Sequence, residues 1–159
     1  MIDLGNSFED HFSELQADMV AICLEYVENR AEDIYIYCSY EPAMYAFDAF
    51  FKINGKVVHK HQLNEVRNRI DSSLNHVYDV SGQRQEALLR IGIQNLEHIH
   101  KHCEEFEKDM PTEIKLHYNV KRNSLKGKYR YDLVYSNDEE LLPDDIFEFW
   151  FEEVKMEIT

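Results

Sequence analysis

The residues of this chain that could do chemistry are its eight histidines, three cysteines and 31 carboxylates. The most pointed cluster is "EHIHKHCEE", which holds His98, His100, His102 and Cys103. On a helix, His98 and His102 share one face, four residues apart, a zinc-ligand spacing. No glutamate follows the first histidine as it does in a metalloprotease helix, His100 points elsewhere, and Cys103 falls on an apolar stripe. A third ligand would have to come from His61, His76 or His117 in distant segments, and no spacing selects one of them. The cluster reads as surface and boundary histidines, with a metal-dependent enzyme using the His98–Cys103 region as the alternative. His59 and His61 flank Lys60 at a strand end and face the same side, but no nucleophile in a recognisable context accompanies them.

GxSxG, P-loop and GxGxxG patterns are missing, and the five glycines (Gly5, Gly55, Gly82, Gly92, Gly127) are too scattered to cradle a phosphate. The carboxylates are too evenly spread to nominate a catalytic pair. The expectation is a protein that is not an enzyme and uses neither cofactor nor metal. Cys23, Cys38 and Cys103 form no CxxC and each sits in an apolar pattern, as reduced, buried small hydrophobes do.

Charge carries more information. The net charge is −14, and residues 132–159 hold ten acids against the single base Lys155, so nine net negatives fall in 28 residues. Such a field repels nucleic acid and anionic membranes and attracts basic partners. No apolar run approaches the roughly 18 residues of a membrane span, and "MIDLGNSFEDHFSEL" lacks the basic start and apolar block of a signal peptide. These features predict a cytoplasmic protein, a single domain over residues 1–159, with protein rather than nucleic acid or membrane as its partner.

The elements that must position these residues follow from periodicity. Phe8, Phe12, Leu15, Met19, Ile22 and Tyr26 predict a helix over 7–29, opened by a capping box of Ser7 and Asp10. "DIYIYCSY" reads as a strand ended by Pro42. "MYAFDAFFKI" alternates, with Tyr45, Phe47, Ala49, Phe51 and Ile53 on one face. Asn54-Gly55 is a hairpin turn leading into "KVVHKH", which completes a meander over 33–60. Leu63, Val66, Ile70, Leu74 and Val77 predict a helix, as do Leu89, Ile93, Leu96, His100 and Cys103, flanked by Ile99 and Phe106 and stopped before Pro111. A second hairpin places Ile114, Leu116, Tyr118 and Val120, then Tyr129, Tyr131 and Leu133, inward. Lys115, His117, Lys128 and Arg130 form a basic outer strip, which solvation or pairing with the acidic C-terminal helix would satisfy. The fold predicted is α+β: an antiparallel sheet of about five strands, a meander plus a C-terminal hairpin, with helices over one face.

The last helix starts near Pro143, with Asp144 and Asp145 at its positive end. Ile146, Phe147, Trp150, Phe151 and Val154 cover one broad face, with Trp150 at its middle, and Asp145, Glu148 and Glu152 gather opposite. Phe149 fits neither group and lies between Glu153 and Asp145. An aromatic ringed by carboxylates is suited to anchor a protein partner, so the predicted binding residues are Asp144, Asp145, Glu148, Phe149, Glu152 and Glu153.

The order of elements, with the hairpin ending in "YRYDLVYSNDEELLPDD", resembles the YezG-like antitoxin and immunity family over most of the chain, most closely over 112–154. The resemblance implies a cytoplasmic immunity protein that neutralises a cognate secreted bacterial toxin, a basic nuclease domain. It carries no catalytic residue over. An acidic adaptor subunit is the other reading of the same charge.

Overall fold

The computed structural model describes residues 7–66 and 76–158. The elements run α1 (Phe8–Tyr26), β1 (Asp33–Tyr40), β2 (Tyr45–Ile53), β3 (Lys56–His59), a 3-10 helix (Lys60–Val66), α2 (Gly82–Glu105), β4 (Glu113–Asn119), β5 (Ser124–Arg130) and α3 (Pro143–Ile158). The strands form one open antiparallel sheet in the order β3-β2-β1-β4-β5, with the four helices packed on it. The fold is α+β, as the sequence predicts.

Local chemistry explains most boundaries. Ser7 Oγ accepts from the Asp10 N–H while the Asp10 carboxylate accepts from the Ser7 N–H, so the capping box forms. The helix ends at Tyr26 rather than at 29, because Glu28 and Asn29 take positive φ (52° and 60°) and turn the chain toward β1. Asn54 (φ 52°) and Gly55 (φ 79°) make the tight turn between β2 and β3. Ser81, read as a break in the pattern, caps α2 by accepting from the Arg84 N–H.

The sheet has two cores. On one face α1 and α2 cover Ile34, Ile36, Cys38, Phe47, Ala49, Phe51, Ile53, Ile114 and Leu116. On the other face α3 covers Tyr35, Tyr37, Phe50 and Val57 with Phe147, Phe151 and Val154. The expectation of helices over one face is therefore corrected. β1 is buried along almost its whole length because both of its faces are covered.

Three further readings change. Of the helix predicted after β3, the described part, Lys60–Val66, is a 3-10 helix that buries Leu63 and Val66. Ile70 and Leu74 lie outside the described residues, and Val77 is exposed and non-helical. The buried line of α2 runs through Leu88, Gly92, Leu96, Ile99 and Cys103, rotated from the predicted stripe, because the helix approaches the sheet at Gly92, directly over the Phe47 ring. β5 starts at Ser124, inside the expected loop, and ends at Arg130. Tyr131 (60 % exposed) and Leu133 (52 %) are thus not inward. Only Tyr129 reaches back over α1, packing on Phe12 and accepting from Gln16 Nε2 at 2.6 Å.

Candidate functional site

The predicted binding residues all lie on α3, and the way α3 is seated decides which of them act together. Pro143 occupies its first position, and the Asp145 carboxylate accepts from the Leu142 N–H at 2.8 Å, which fixes the first turn. Upstream, the buried Glu41 carboxylate accepts from the N–H groups of Val134, Tyr135 and Ser136 and from the Ser136 hydroxyl (2.8 Å), and so pins the approach to the helix. Phe147 and Phe151 then meet Phe50 edge-on at 5.7 and 5.3 Å. His59 stacks on Phe151 at 3.7 Å, with its Nε2 3.1 Å from a Glu148 oxygen. Burial holds the His59 imidazole below the usual histidine range, against the opposing pull of Glu148.

Trp150 is half-buried at the rim of the apolar face rather than at its middle. Its ring stands edge-on to Tyr35 (5.9 Å) and Phe50 (5.0 Å), and Lys115 Nζ lies 5.5 Å from its centroid. Tyr35 itself is boxed in by Phe50, His117 and Trp150, and burial pushes its phenol up to about 12.

Phe149 points to solvent, 60 % exposed. At 3.6 residues per turn, Asp145, Glu152 and Glu153 lie within roughly 40–60° of it around the helix. These four form one surface. Glu148 is about 100° away and engaged with His59, and Asp144 lies further round in the first turn. Of six predicted residues the structure groups four, and Met156 (75 % exposed) joins them two turns beyond Phe149. The spacing of seven from Phe149 was the signal for it.

Of the two expectations for the basic strip, solvation or pairing with α3, the second is met by no ion pair among the described residues, and Lys115 meets the helix over the Trp150 ring. Lys115 Nζ lies 3.6 Å from Glu113, and Arg130 donates to Asp132 at 2.7 Å. Because α3 lies over β1–β3, a groove of about 400 Å³ opens between it and the β4–β5 hairpin, with Lys115, Lys126 and Lys128 on one wall and Glu153 and Glu157 on the other. Lys126 joins the strip because β5 begins early.

The histidine cluster does not converge. His98 is exposed, the His100 ring hydrogen-bonds the Tyr45 hydroxyl at 2.7 Å, and His102 stacks on His11 at 4.4 Å. Cys103 is buried, and that burial raises its thiol pKa and disfavours the thiolate a metal needs. Among the described residues no three histidine, cysteine or carboxylate side chains are grouped to hold a metal ion, and no helix is long and apolar enough to cross a membrane. No protein-family model matches the chain, and no curated protein matches it in sequence.

Proposed function

We propose that the chain is an immunity protein: it binds and neutralises a cognate toxin, a basic nuclease domain, through the acidic face of α3 and performs no chemistry itself. The observation that carries this reading is Phe149, a large aromatic held 60 % exposed on a helix whose opposite face is fixed to the sheet. Carboxylates flank it, so the face combines a desolvatable anchor with a field opposite to that of a phosphate-binding cleft. The resemblance to YezG-like antitoxins supplies the toxin class. Rigidity supports the same reading, because a preorganised face loses little entropy on docking.

The test is capture of the partner from the source cell, followed by surface binding kinetics at two salt concentrations. Glu152→Lys with Glu153→Lys is expected to slow association, and the effect fades as screening shortens to about 8 Å near 0.15 M salt. Phe149→Ala is expected to speed dissociation at both salts while leaving the thermal midpoint in place. A captured partner that is not a basic nuclease, or rates that all three changes leave untouched, overturns the reading.

A further inference from the structure

The open edge of the sheet is β5, on the far side of the molecule's core from β3. No described strand lies beyond it. The ladder phase shows which backbone groups it leaves unpaired. Tyr40 N–H donates to Thr112 C=O (2.9 Å) and Val120 N–H to Glu32 C=O (3.0 Å), so the even-numbered residues of β4 turn their backbone groups toward β1. The odd-numbered ones turn toward β5, where they meet Ser124, Lys126, Lys128 and Arg130. Leu125, Gly127 and Tyr129 are left with N–H and C=O directed outward from the sheet.

The side chains at this edge divide by face with a period of two. Leu125 and Tyr129 lie on the α1 side, 38 % exposed each, and Tyr129 lines an open pocket with Phe8, Phe12, Lys108 and Asp109. Gly127 carries no side chain between them, and the Tyr129 ring closes over it. Lys126 and Lys128 lie on the α3 side, on the wall of the groove. The other edge is a poorer template: β3 has four residues, runs directly into the 3-10 helix and is packed by α3.

We propose that β5 is a docking edge for an extended segment of another protein, one that adds antiparallel to the sheet as a sixth strand and alternates apolar residues with carboxylates. The backbone groups of Leu125, Gly127 and Tyr129 bond the added strand, which is the mode that gives strand addition its affinity. Apolar side chains opposite those three residues extend the half-exposed surface of Leu125 and Tyr129, and carboxylates opposite Lys126 and Lys128 complete the α3 side. Charge selects against a second copy of this chain. Two β5 strands paired antiparallel about Gly127 would set Lys126 opposite Lys128 at both ends, and like charges directly opposite destabilise a pair. This edge is separate from the acidic face of α3, and the inference does not depend on the function proposed above.

The probe is a nine-residue peptide of alternating valine and glutamate, titrated against the isotopically labelled full chain. Two controls accompany it: the same peptide with lysine for glutamate, and an isomer with its valines and glutamates in separate blocks. The expected result is saturable binding of the first peptide, with hydrogen-exchange protection gained at the amides of Leu125, Gly127 and Tyr129 and not at those of Lys126 and Lys128, which are already paired. Lys126→Glu with Lys128→Glu is expected to weaken that peptide by at least about fivefold, from turning opposite-charge cross-strand pairs into like-charge ones, and to admit the lysine peptide. Phe149→Ala should leave all of this unchanged. Equal binding of the three peptides, protection that falls elsewhere, or no binding at millimolar peptide overturns the proposal, and each outcome is read on the wild-type chain, so it survives a variant that fails to fold.

Discussion

Glu41 is 2 % exposed, and its carboxylate collects three backbone N–H groups and a hydroxyl from a stretch more than ninety residues later in the chain. All four of these bonds end on one oxygen, Oε1, and the other oxygen accepts only from the Tyr135 N–H, at 3.4 Å. An amide keeps the shape and can keep one oxygen in the Oε1 place, but it removes the charge that strengthens these bonds and sets a donor against the Tyr135 N–H. Glu41→Gln is therefore expected to cost about 1.5–3 kcal/mol, the range for hydrogen bonds to a charged group, read as a shift of the denaturant midpoint at unchanged slope. The Tyr135 amide should lose hydrogen-exchange protection in the same variant. Nothing in the sequence marks this residue, since an acid before Pro42 reads as a solvated turn. The exposed Phe149, by contrast, is legible, because the phase of one helix fixes its direction without any long-range contact.

At the scale of elements, alternation in β2, the Asn54-Gly55 turn, the capping box and the start of α3 are set by neighbours within a few residues, and all of these were readable. What periodicity does not carry is the side of the sheet on which a helix lands. α3 has an apolar face wherever it packs. The clue lay in its target, since Tyr35 and Tyr37 alternate with Ile34 and Ile36 and leave neither face of the middle of β1 polar, with Phe50 of β2 beside Tyr35. The basic strip was readable for the same period-two reason, but that it faces the acidic helix across a groove rather than in ion pairs depends on where α3 sits across the sheet. Leu96 and Cys103 of the predicted α2 stripe are buried, but the centre of the buried line is rotated toward Gly92. That rotation was missed because a glycine counts for nothing in a hydrophobic stripe, yet Gly92 packs directly on the Phe47 ring. That makes a sign prediction. In an ordinary helix interior Gly→Ala stabilises by about 1 kcal/mol. Here the new methyl would enter the Phe47 ring, and overpacking a core costs about 1–3 kcal/mol. Gly92→Ala should therefore lower the thermal midpoint, and a raised midpoint would show that α2 can lift off Phe47 freely.

For the molecule as a whole, the two faces of the sheet have different exteriors. One is helical and mixed in charge. The other presents an acidic helix beside a lysine-lined groove, so opposite potentials lie side by side across the width of α3. A basic partner and an acidic segment would be drawn to neighbouring but distinct places, and added salt should weaken both attractions together. Little of this could be taken from the net charge alone, which averages the two.

The three thiols give this architecture a clock. Cys23 and Cys38 are fully buried, one on α1 and one on β1, and Cys103 is buried near the last turn of α2. A thiol that water does not reach is not attacked by an alkylating reagent, and burial pushes the pKa of all three upward. Labelling thus requires the chain to open. Helix ends open by local fraying at little free-energy cost where the chain beyond them is exposed, as residues 104–109 are after Cys103. Cys23, also in a last turn, is followed by the buried Tyr26 and Val27, and the centre of a sheet opens only with the whole fold. Under native conditions Cys103 is expected to label first, and Cys23 and Cys38 later and at a common rate equal to that of global unfolding, as mass spectrometry of timed alkylation would report. If Cys38 reacts independently of Cys23, β1 can leave the sheet without α1, and the core that holds both thiols does not open as one unit.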